Sequence, residues 1–173
     1  MLSGGARLAT IQRAIEAHLA SRDVARVIYG TIIGLALVVV MEAHPPTAGQ
    51  AVAALVGTAL AVGLAEFYSE IVGAEARTRH AVQRAQMAAV AADSAAVSLG
   101  AGFPAVFFVL AAIGWIDLDT AFAVAKWSGL GLLCTYGFLA ARVSGARLGA
   151  ALLHASAVGA VGGALILLKA LLH

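Results

Sequence analysis

The sequence has 173 residues, of which 62% are hydrophobic and 12% are charged, and its formal net charge is +2. A soluble domain typically carries about 25% charged residues and could not bury so much apolar surface, so the composition indicates a membrane protein. The small net charge gives no indication of nucleic-acid binding. Cys134 is the only cysteine, which excludes an internal disulfide and a cysteine metal site.

The first 23 residues are predicted to form a cytoplasmic amphipathic segment. Leu8, Ile11, Ile15 and Leu19 fall on one helical face, and polar residues occupy the others. This pattern is typical of a helix that lies on a membrane surface. A simple N-terminal extension of the first membrane-spanning helix is the alternative interpretation.

Residues 24–173 contain five apolar runs of about 20 residues or more, the length that an α-helix needs to cross a bilayer. Because an open strand edge cannot be satisfied in hydrocarbon, all five are expected to be helices. The first should end before Pro45, since proline cannot continue the helical hydrogen bonds. We therefore predict an all-α integral membrane protein, a five-transmembrane-helix bundle with spans at residues 24–43, 50–73, 95–116, 120–141 and 146–172.

The linker 75–94 is polar at first and then alanine-rich, which predicts a continuation of the second helix and then a short helix that leads into the third. Gly100, Gly102 and Pro104 predict a kink or a loosened start in the third span. Glycines spaced four residues apart favour close helix contacts, mostly within the chain. These pairs are Gly30 and Gly34, Gly145 and Gly149, and Gly159 and Gly163.

The arginines predict the orientation of the bundle, because cytoplasmic loops are enriched in Lys and Arg. With five spans, all nine arginines fall on one side, and the loops 44–49 and 117–119 on the other side contain neither Lys nor Arg. The N-terminus is therefore expected inside and the C-terminus outside. The preference for arginine over lysine favours a bacterial plasma (inner) membrane.

Glu66 and Glu70 are the leading candidates for a transport path. Glu66 lies about 10 Å inside the cytoplasmic end of the second span, and Glu70 is four residues later on the same face. Two stacked carboxylates could bind a metal ion or a proton, since carboxylates within membrane helices are usually functional. The alternative is that Glu66 is a hydrogen-bonded residue that joins two helices.

Other polar residues are weaker candidates. His154 lies about two turns into the fifth span and could bind a metal or relay protons, although a packing role is the alternative. Tyr68 could supply a hydroxyl near Glu66. Glu42, His44 and Lys126 could form an outer mouth. Lys126 is interpreted as a lysine that snorkels to the headgroups, with an ion pair to Glu42 as the alternative.

Three segments resemble the vacuolar iron transporter family, whose members have five helices with the N-terminus inside. Residues 26–35 (RVIYGTIIGL) are similar to the family's opening segment, and residues 59–70 (ALAVGLAEFYSE) to its Ala- and Gly-rich segment that ends in Gly-Glu-Tyr and a serine. Residues 143–150 (VSGARLGA), followed by the glycines of 159–163, are similar to the turn before its last helix.

The resemblance implies a homodimer in which a helix-one aspartate and a helix-two glutamate lie on a path for ferrous or manganous ions. The glutamate corresponds to Glu66, whereas Ile33 stands at the position of the aspartate. The family's glutamate-rich cytoplasmic metal-binding domain has no counterpart in the linker. We therefore expect a divergent member of the family.

These observations predict a transporter rather than an enzyme, since no soluble-enzyme motif is present. Proton-coupled export of Mn²⁺ or Fe²⁺ through Glu66, with no bound cofactor, is the first hypothesis. A channel or carrier for another small solute is the second. The third is a non-transporting membrane partner in which Glu66 is structural.

Overall fold

The computed structural model describes the backbone of residues 23–172 and the side chains of residues 24–167. The predicted amphipathic segment therefore lies outside the described residues, apart from Asp23. Within residues 23–172 the chain forms six α-helices and no strand. The helices are α1 (Asp23–Ala43), α2 (Ala48–Thr78), α3 (Arg84–Gly102), α4 (Ala105–Ala112), α5 (Leu118–Val143) and α6 (Leu148–Leu172).

The helices define an all-α, multi-pass membrane protein. In the described chain, α1, α2, α5 and α6 are each long and apolar enough to cross a bilayer. Helices α3 and α4 pass the same test only together, which gives up to five spans. An exposed tryptophan, Trp115, lies in the α4–α5 loop and is 77% exposed. Tryptophan at a helix end is typical of the membrane–water interface.

The third span is broken, which confirms the predicted kink. Pro104 has no backbone N–H and cannot continue the hydrogen bonds of α3, and α4 leaves α3 at an angle of 50°. The Phe103 N–H still bonds to the Leu99 carbonyl at 2.9 Å, so the bend begins immediately after Phe103. The break directs α3 toward α1 and α2, and α4 toward α2 and α5.

The linker differs from the prediction in one respect. The second helix does continue, as predicted, and ends at Thr78, where Arg79 adopts a left-handed conformation with φ of 56°. The short separate helix is absent from the described linker. Instead, α3 begins at Arg84 and runs without interruption to Gly102. Alanine-rich sequence from Met87 to Val97 explains this, because alanine is the strongest helix former.

Helix α1 is central and packs against α2, α3, α5 and α6. Glycines bring it very close to α3. A Cβ atom on Gly30 would lie 2.1 Å from the Val97 carbonyl oxygen, and one on Gly34 would lie 2.5 Å from that of Ala101. The first predicted glycine pair is therefore an intramolecular contact. Gly145, Gly149 and Gly163, by contrast, have no atom within 4 Å of such a Cβ among the described residues.

The two ends of the bundle differ. The "arginine end" holds the start of α1, the α2–α3 loop and the α5–α6 turn, whereas the "proline end" holds the α1–α2 and α4–α5 loops. The main aromatic core lies in the proline half, where Phe108 and Phe122 pack edge to face with ring centroids 4.8 Å apart. Val38 and Leu55 join this core.

Both helix starts at the proline end are capped. Thr47 and Gln50 form a reciprocal capping box at the start of α2. At the start of α5, Asp117 Oδ1 accepts the backbone N–H of Thr120 at 2.7 Å. That hydrogen bond lowers the pKa of Asp117 from its usual value of 3.8, because it stabilises the carboxylate form.

Candidate functional site

Arg26 lies at the start of α1, one turn before Gly30. The close contact of α1 with α3 at Gly30 and Gly100 places Arg26 beside Asp93 on α3. Helix α2 also packs against α3, where Gly63 leaves room for the Ser98 hydroxyl. The sequence thus brings three helices together at the arginine end through small residues.

Arg26 is the centre of an ionic cluster that joins these three helices. Its Nε lies 3.3 Å from Glu66 Oε1 and its Nη2 lies 3.3 Å from Glu70 Oε1, and both contacts are hydrogen bonds. Its Nη1 lies 2.8 Å from Asp93 Oδ2. We call Arg26, Glu66, Glu70 and Asp93 the Arg26 cluster.

The guanidinium is more deeply buried than the carboxylates that surround it. The Arg26 side chain is 9% exposed, whereas those of Glu66, Asp93 and Glu70 are 24%, 27% and 31% exposed. The three carboxylates therefore remain partly accessible, whereas the guanidinium is almost fully covered. Despite its proximity to Asp93, the buried Nη1 atom makes no hydrogen bond within the described residues, so that contact is an ion pair without suitable hydrogen-bond geometry.

The cluster is unbalanced in charge. It contains three carboxylates and one guanidinium, so it carries a formal charge of −2 when all four groups are ionised. Partly buried groups of like charge repel one another strongly, because the surroundings screen them less than water does. The described cluster therefore has an excess of negative charge, which attracts cations.

Glu66 and Glu70, which were predicted as metal ligands, both bind Arg26 in this structure. Among the described side chains of residues 24–167, no group of three His, Cys, Asp or Glu residues has a geometry that could hold a metal ion. Arg26 occupies the space between the carboxylates. A cation would therefore have to compete with Arg26 for the same oxygen atoms.

Two other predicted site residues lie away from the cluster. Tyr68 is 65% exposed and packs edge to face against Phe67, with ring centroids 6.0 Å apart. His154 is exposed on α6, a helix that packs on α5 and α1. Within the described part of the chain, neither side chain forms a hydrogen bond or ion pair with Glu66 or Glu70.

An apolar groove adjoins the cluster. Its volume is 390 Å³, and it lies between α1, α3 and α5. Val27 and Ala92, the neighbours of Arg26 and Asp93 in the chain, contribute to its wall, as do Phe103 and Tyr136. The groove is thus next to the charged groups but is itself lined by hydrophobic and aromatic side chains.

The residues predicted as an outer mouth lie at the proline end. Lys126 Nζ lies 2.5 Å from Glu42 Oε1, so Lys126 forms the ion pair that was the alternative to snorkelling. The two side chains are 20% and 23% exposed. His44 is exposed just beyond α1. This pair joins α1 to α5 and balances one amine against one carboxylate.

Sequence reasoning missed Arg26 and Asp93 as site residues. Arg26 was counted only as one of the arginines that indicate orientation, and Asp93 was assigned to the linker. A signal was available, since Arg26 lies one turn inside an apolar helix, and charged groups at that depth need partners. The contact of α1 with α3 depends on tertiary packing, which the sequence pattern does not specify.

Together, the fold and the cluster define a multi-pass helical membrane protein with an acidic, arginine-centred site. A scan against protein-family models found no match, and comparisons with curated proteins and with solved structures found no significant match.

Proposed function

We propose that this protein is a secondary transporter that exports a divalent cation, Mn²⁺ or Fe²⁺, from the cytoplasm in exchange for protons. The Arg26 cluster is the site at which the cation and protons compete. The observation that carries the proposal is the excess of carboxylates, three around one guanidinium between α1, α2 and α3. Carboxylate oxygens suit Mn²⁺ and, with less preference, Fe²⁺.

Arg26 has a defined role in this proposal. In the absence of substrate, its guanidinium neutralises part of the negative charge and holds the carboxylates close together. An entering cation needs the oxygen atoms of Glu66 and Glu70 that now accept from Arg26. Glu70, the more exposed of the two, is the entry residue, and Glu66 is the inner one. Protons that enter from the opposite side release the cation by neutralising the same carboxylates.

The proposed direction of export rests on the orientation of the bundle. Exposed arginines gather at the arginine end, which favours its placement in the cytoplasm under the positive-inside rule. These are Arg77, Arg79, Arg84, Arg142 and Arg147. The N-terminus is then inside and the C-terminus outside, as in the vacuolar iron transporter family that the sequence resembles. A homodimer in a bacterial inner membrane belongs to the same proposal.

Flux into proteoliposomes tests the proposal. Uptake of Mn²⁺ and Fe²⁺ is measured with and without a pH gradient for wild type, Glu66→Gln and Glu75→Gln. Glu75 is an exposed carboxylate on the same helix and serves as a matched control. We expect gradient-dependent uptake by wild type and Glu75→Gln and at least a tenfold loss in Glu66→Gln. No uptake by well-folded wild type would refute divalent-cation transport by this chain.

A second candidate is a non-transporting membrane protein in which the cluster only joins helices. The observation that favours it is that Arg26 already engages all three carboxylates. In that case Glu66→Gln would alter stability, and wild type would carry neither ion. A carrier or channel for a different small solute would also fail with both metals, yet Glu66→Gln would abolish its transport once the solute is supplied.

A further inference from the structure

The apolar groove between α1, α3 and α5 has one charged end. Along α3 its wall extends from Ala92 to Phe103, a distance of about 16 Å on a helix. Asp93 follows Ala92 in the chain, and its carboxylate pairs with Arg26, so the acidic groups lie at the Ala92 end of the groove. Leu99, midway along the wall, is 72% exposed, so the groove is open along its side.

Tyr136 on α5 belongs to the charged end of the groove. Helix α5 runs opposite to α1, because α5 begins at the proline end and α1 at the arginine end. The two helices meet where a Cβ on Gly129 would lie 3.5 Å from Leu35 Cδ1. Tyr136 follows Gly129 by seven positions, as Leu35 follows Ile28. Tyr136 is therefore at about the height of Ile28, close to that of Arg26.

The charges at this end and the lining of the groove complement the same kind of molecule. Three carboxylates around one guanidinium attract positive charge. The face of an aromatic ring such as that of Tyr136 attracts ammonium groups, quaternary ones included. The rest of the wall is mainly aliphatic and can cover a hydrocarbon body. The volume of 390 Å³ falls within the range of small-molecule sites, about 300–1,000 Å³.

We propose that the groove binds an amphipathic organic cation, with the cationic group between Asp93 and Tyr136 and the apolar body along α3 toward Phe103. A quaternary ammonium group has no N–H donor and binds through its charge alone. It can therefore bind beside the Arg26 cluster while the hydrogen bonds from Arg26 to the two glutamates stay in place. Because α1 and α5 qualify as membrane spans, such a molecule enters the open side of the groove from the bilayer.

This binding does not rest on the proposed metal transport. A divalent metal ion needs the carboxylate oxygens that now accept from Arg26, whereas the organic cation needs the groove and the negative charge beside it. Loss of Mn²⁺ flux with intact binding of the organic cation would refute the transport proposal alone. The converse result would refute the groove proposal alone.

A matched pair of ligands tests the need for charge. The probe is tritiated biphenylmethyl-trimethylammonium, and its neutral counterpart is neopentylbiphenyl, in which carbon replaces the ammonium nitrogen. Binding to the purified full chain in lipid nanodiscs is measured by scintillation proximity. We expect saturable binding of the cation and about tenfold weaker binding of the neutral molecule. Equal binding of the two, as for a groove that holds a lipid acyl chain, or no saturable binding of the cation, would overturn the proposal.

A groove-filling variant tests the location. Ala95 and Ala91 are both exposed on α3, but only Ala95 lines the groove. Ala95→Trp should abolish saturable binding of the organic cation, and Ala91→Trp should leave it unchanged. Neither alanine belongs to the Arg26 cluster, so neither variant should alter Mn²⁺ binding. An Ala95→Trp variant that binds the probe as wild type does would contradict the assignment to this groove.

Two further variants test the cationic end. Asp93→Asn should weaken probe binding about tenfold. Tyr136→Leu should weaken it about 2–30-fold, the range expected for loss of a cation–π interaction, and Tyr136→Phe should retain most of the affinity. Glu75→Gln, which alters an exposed carboxylate elsewhere on α2, should leave probe binding unchanged. A probe affinity insensitive to both Asp93→Asn and Tyr136→Leu would refute the proposal.

Discussion

Charged side chains are paired at both ends of the bundle, but the balance of charge differs between the two ends. At the proline end, Lys126 meets Glu42 in an ion pair that joins α1 to α5 and sums to zero charge. At the arginine end, Arg26 meets Glu66, Glu70 and Asp93, and the sum is negative. Both arrangements give charged groups a partner near hydrocarbon. The carboxylates outnumber the guanidinium in the arginine-end cluster, whereas the charges of Lys126 and Glu42 balance.

The comparison teaches that the role of a charged residue in a membrane helix depends on the balance around it. In the proline-end pair, one amine balances one carboxylate. Three carboxylates that share one guanidinium remain attractive to positive charge. Burial also differs, since Arg26 is 9% exposed and Lys126 20%. We therefore expect the proline-end pair to act in stability, and the transport proposed above to depend on the arginine-end cluster.

Arg26→Ala should have the largest effect on stability. It leaves three carboxylates without their shared cation, and we expect a loss of about 3 kcal/mol in the free energy of unfolding. The upper part of the usual range is not expected, because the carboxylates remain partly exposed. Unfolding in mixed detergent micelles measures the change. Arg26→Lys should recover part of it, and a loss no larger than that of Lys126→Ala would contradict the difference between the two ends.

Gly30→Ala should have the second-largest effect on stability, because Gly30 positions the Arg26 cluster without being a member of it. The added Cβ would lie 2.1 Å from a backbone oxygen that cannot move aside without shifting α3. We expect a destabilisation of about 1–3 kcal/mol, as for overpacking of a core. Gly57→Ala on α2 is the control, since no atom lies within 4 Å of its added Cβ. A Gly30→Ala variant as stable as Gly57→Ala would contradict the close packing of α1 against α3 at Gly30.

Loss of the ion pair at the proline end should have the smallest effect on stability. In a double-mutant cycle with Lys126→Met and Glu42→Gln, we expect a coupling energy of about 0.5–1 kcal/mol, because both side chains retain some exposure. The same unfolding assay provides the four measurements. The double variant should also transport as wild type does. Loss of flux in a well-folded double variant would show that the proline end participates in transport.

Much of the fold was predictable because the membrane imposes it. The apolar runs gave the helices, and Pro104 gave the break in the third span. The bounds of α3 were less predictable, since its polar and alanine-rich first half lacks the hydropathy of a membrane segment. Helix propensity, rather than hydropathy, extends it to Arg84.

The candidate site was predictable only in part. Glu66 and Glu70 stood out because carboxylates are costly in apolar helices. Asp93 and Arg26 did not, because their proximity arises from the contact of α1 with α3 and not from spacing along one helix. His154, by contrast, was a candidate from the sequence but lies away from the cluster in the structure. Its depth suggested a place on the transport path, but the packing of α6 turns it away from the carboxylates.

Equilibrium binding of Mn²⁺ to the purified protein tests the central claim most directly, because it asks whether the Arg26 cluster accepts a further positive charge. Radioactive Mn²⁺ is dialysed against wild type, Glu66→Gln and the double variant Lys126→Met with Glu42→Gln. Our account predicts saturable binding to wild type, unchanged binding to the proline-end variant, and at least tenfold weaker binding to Glu66→Gln. Binding that is equal in wild type and Glu66→Gln, or absent from well-folded wild type, would contradict it.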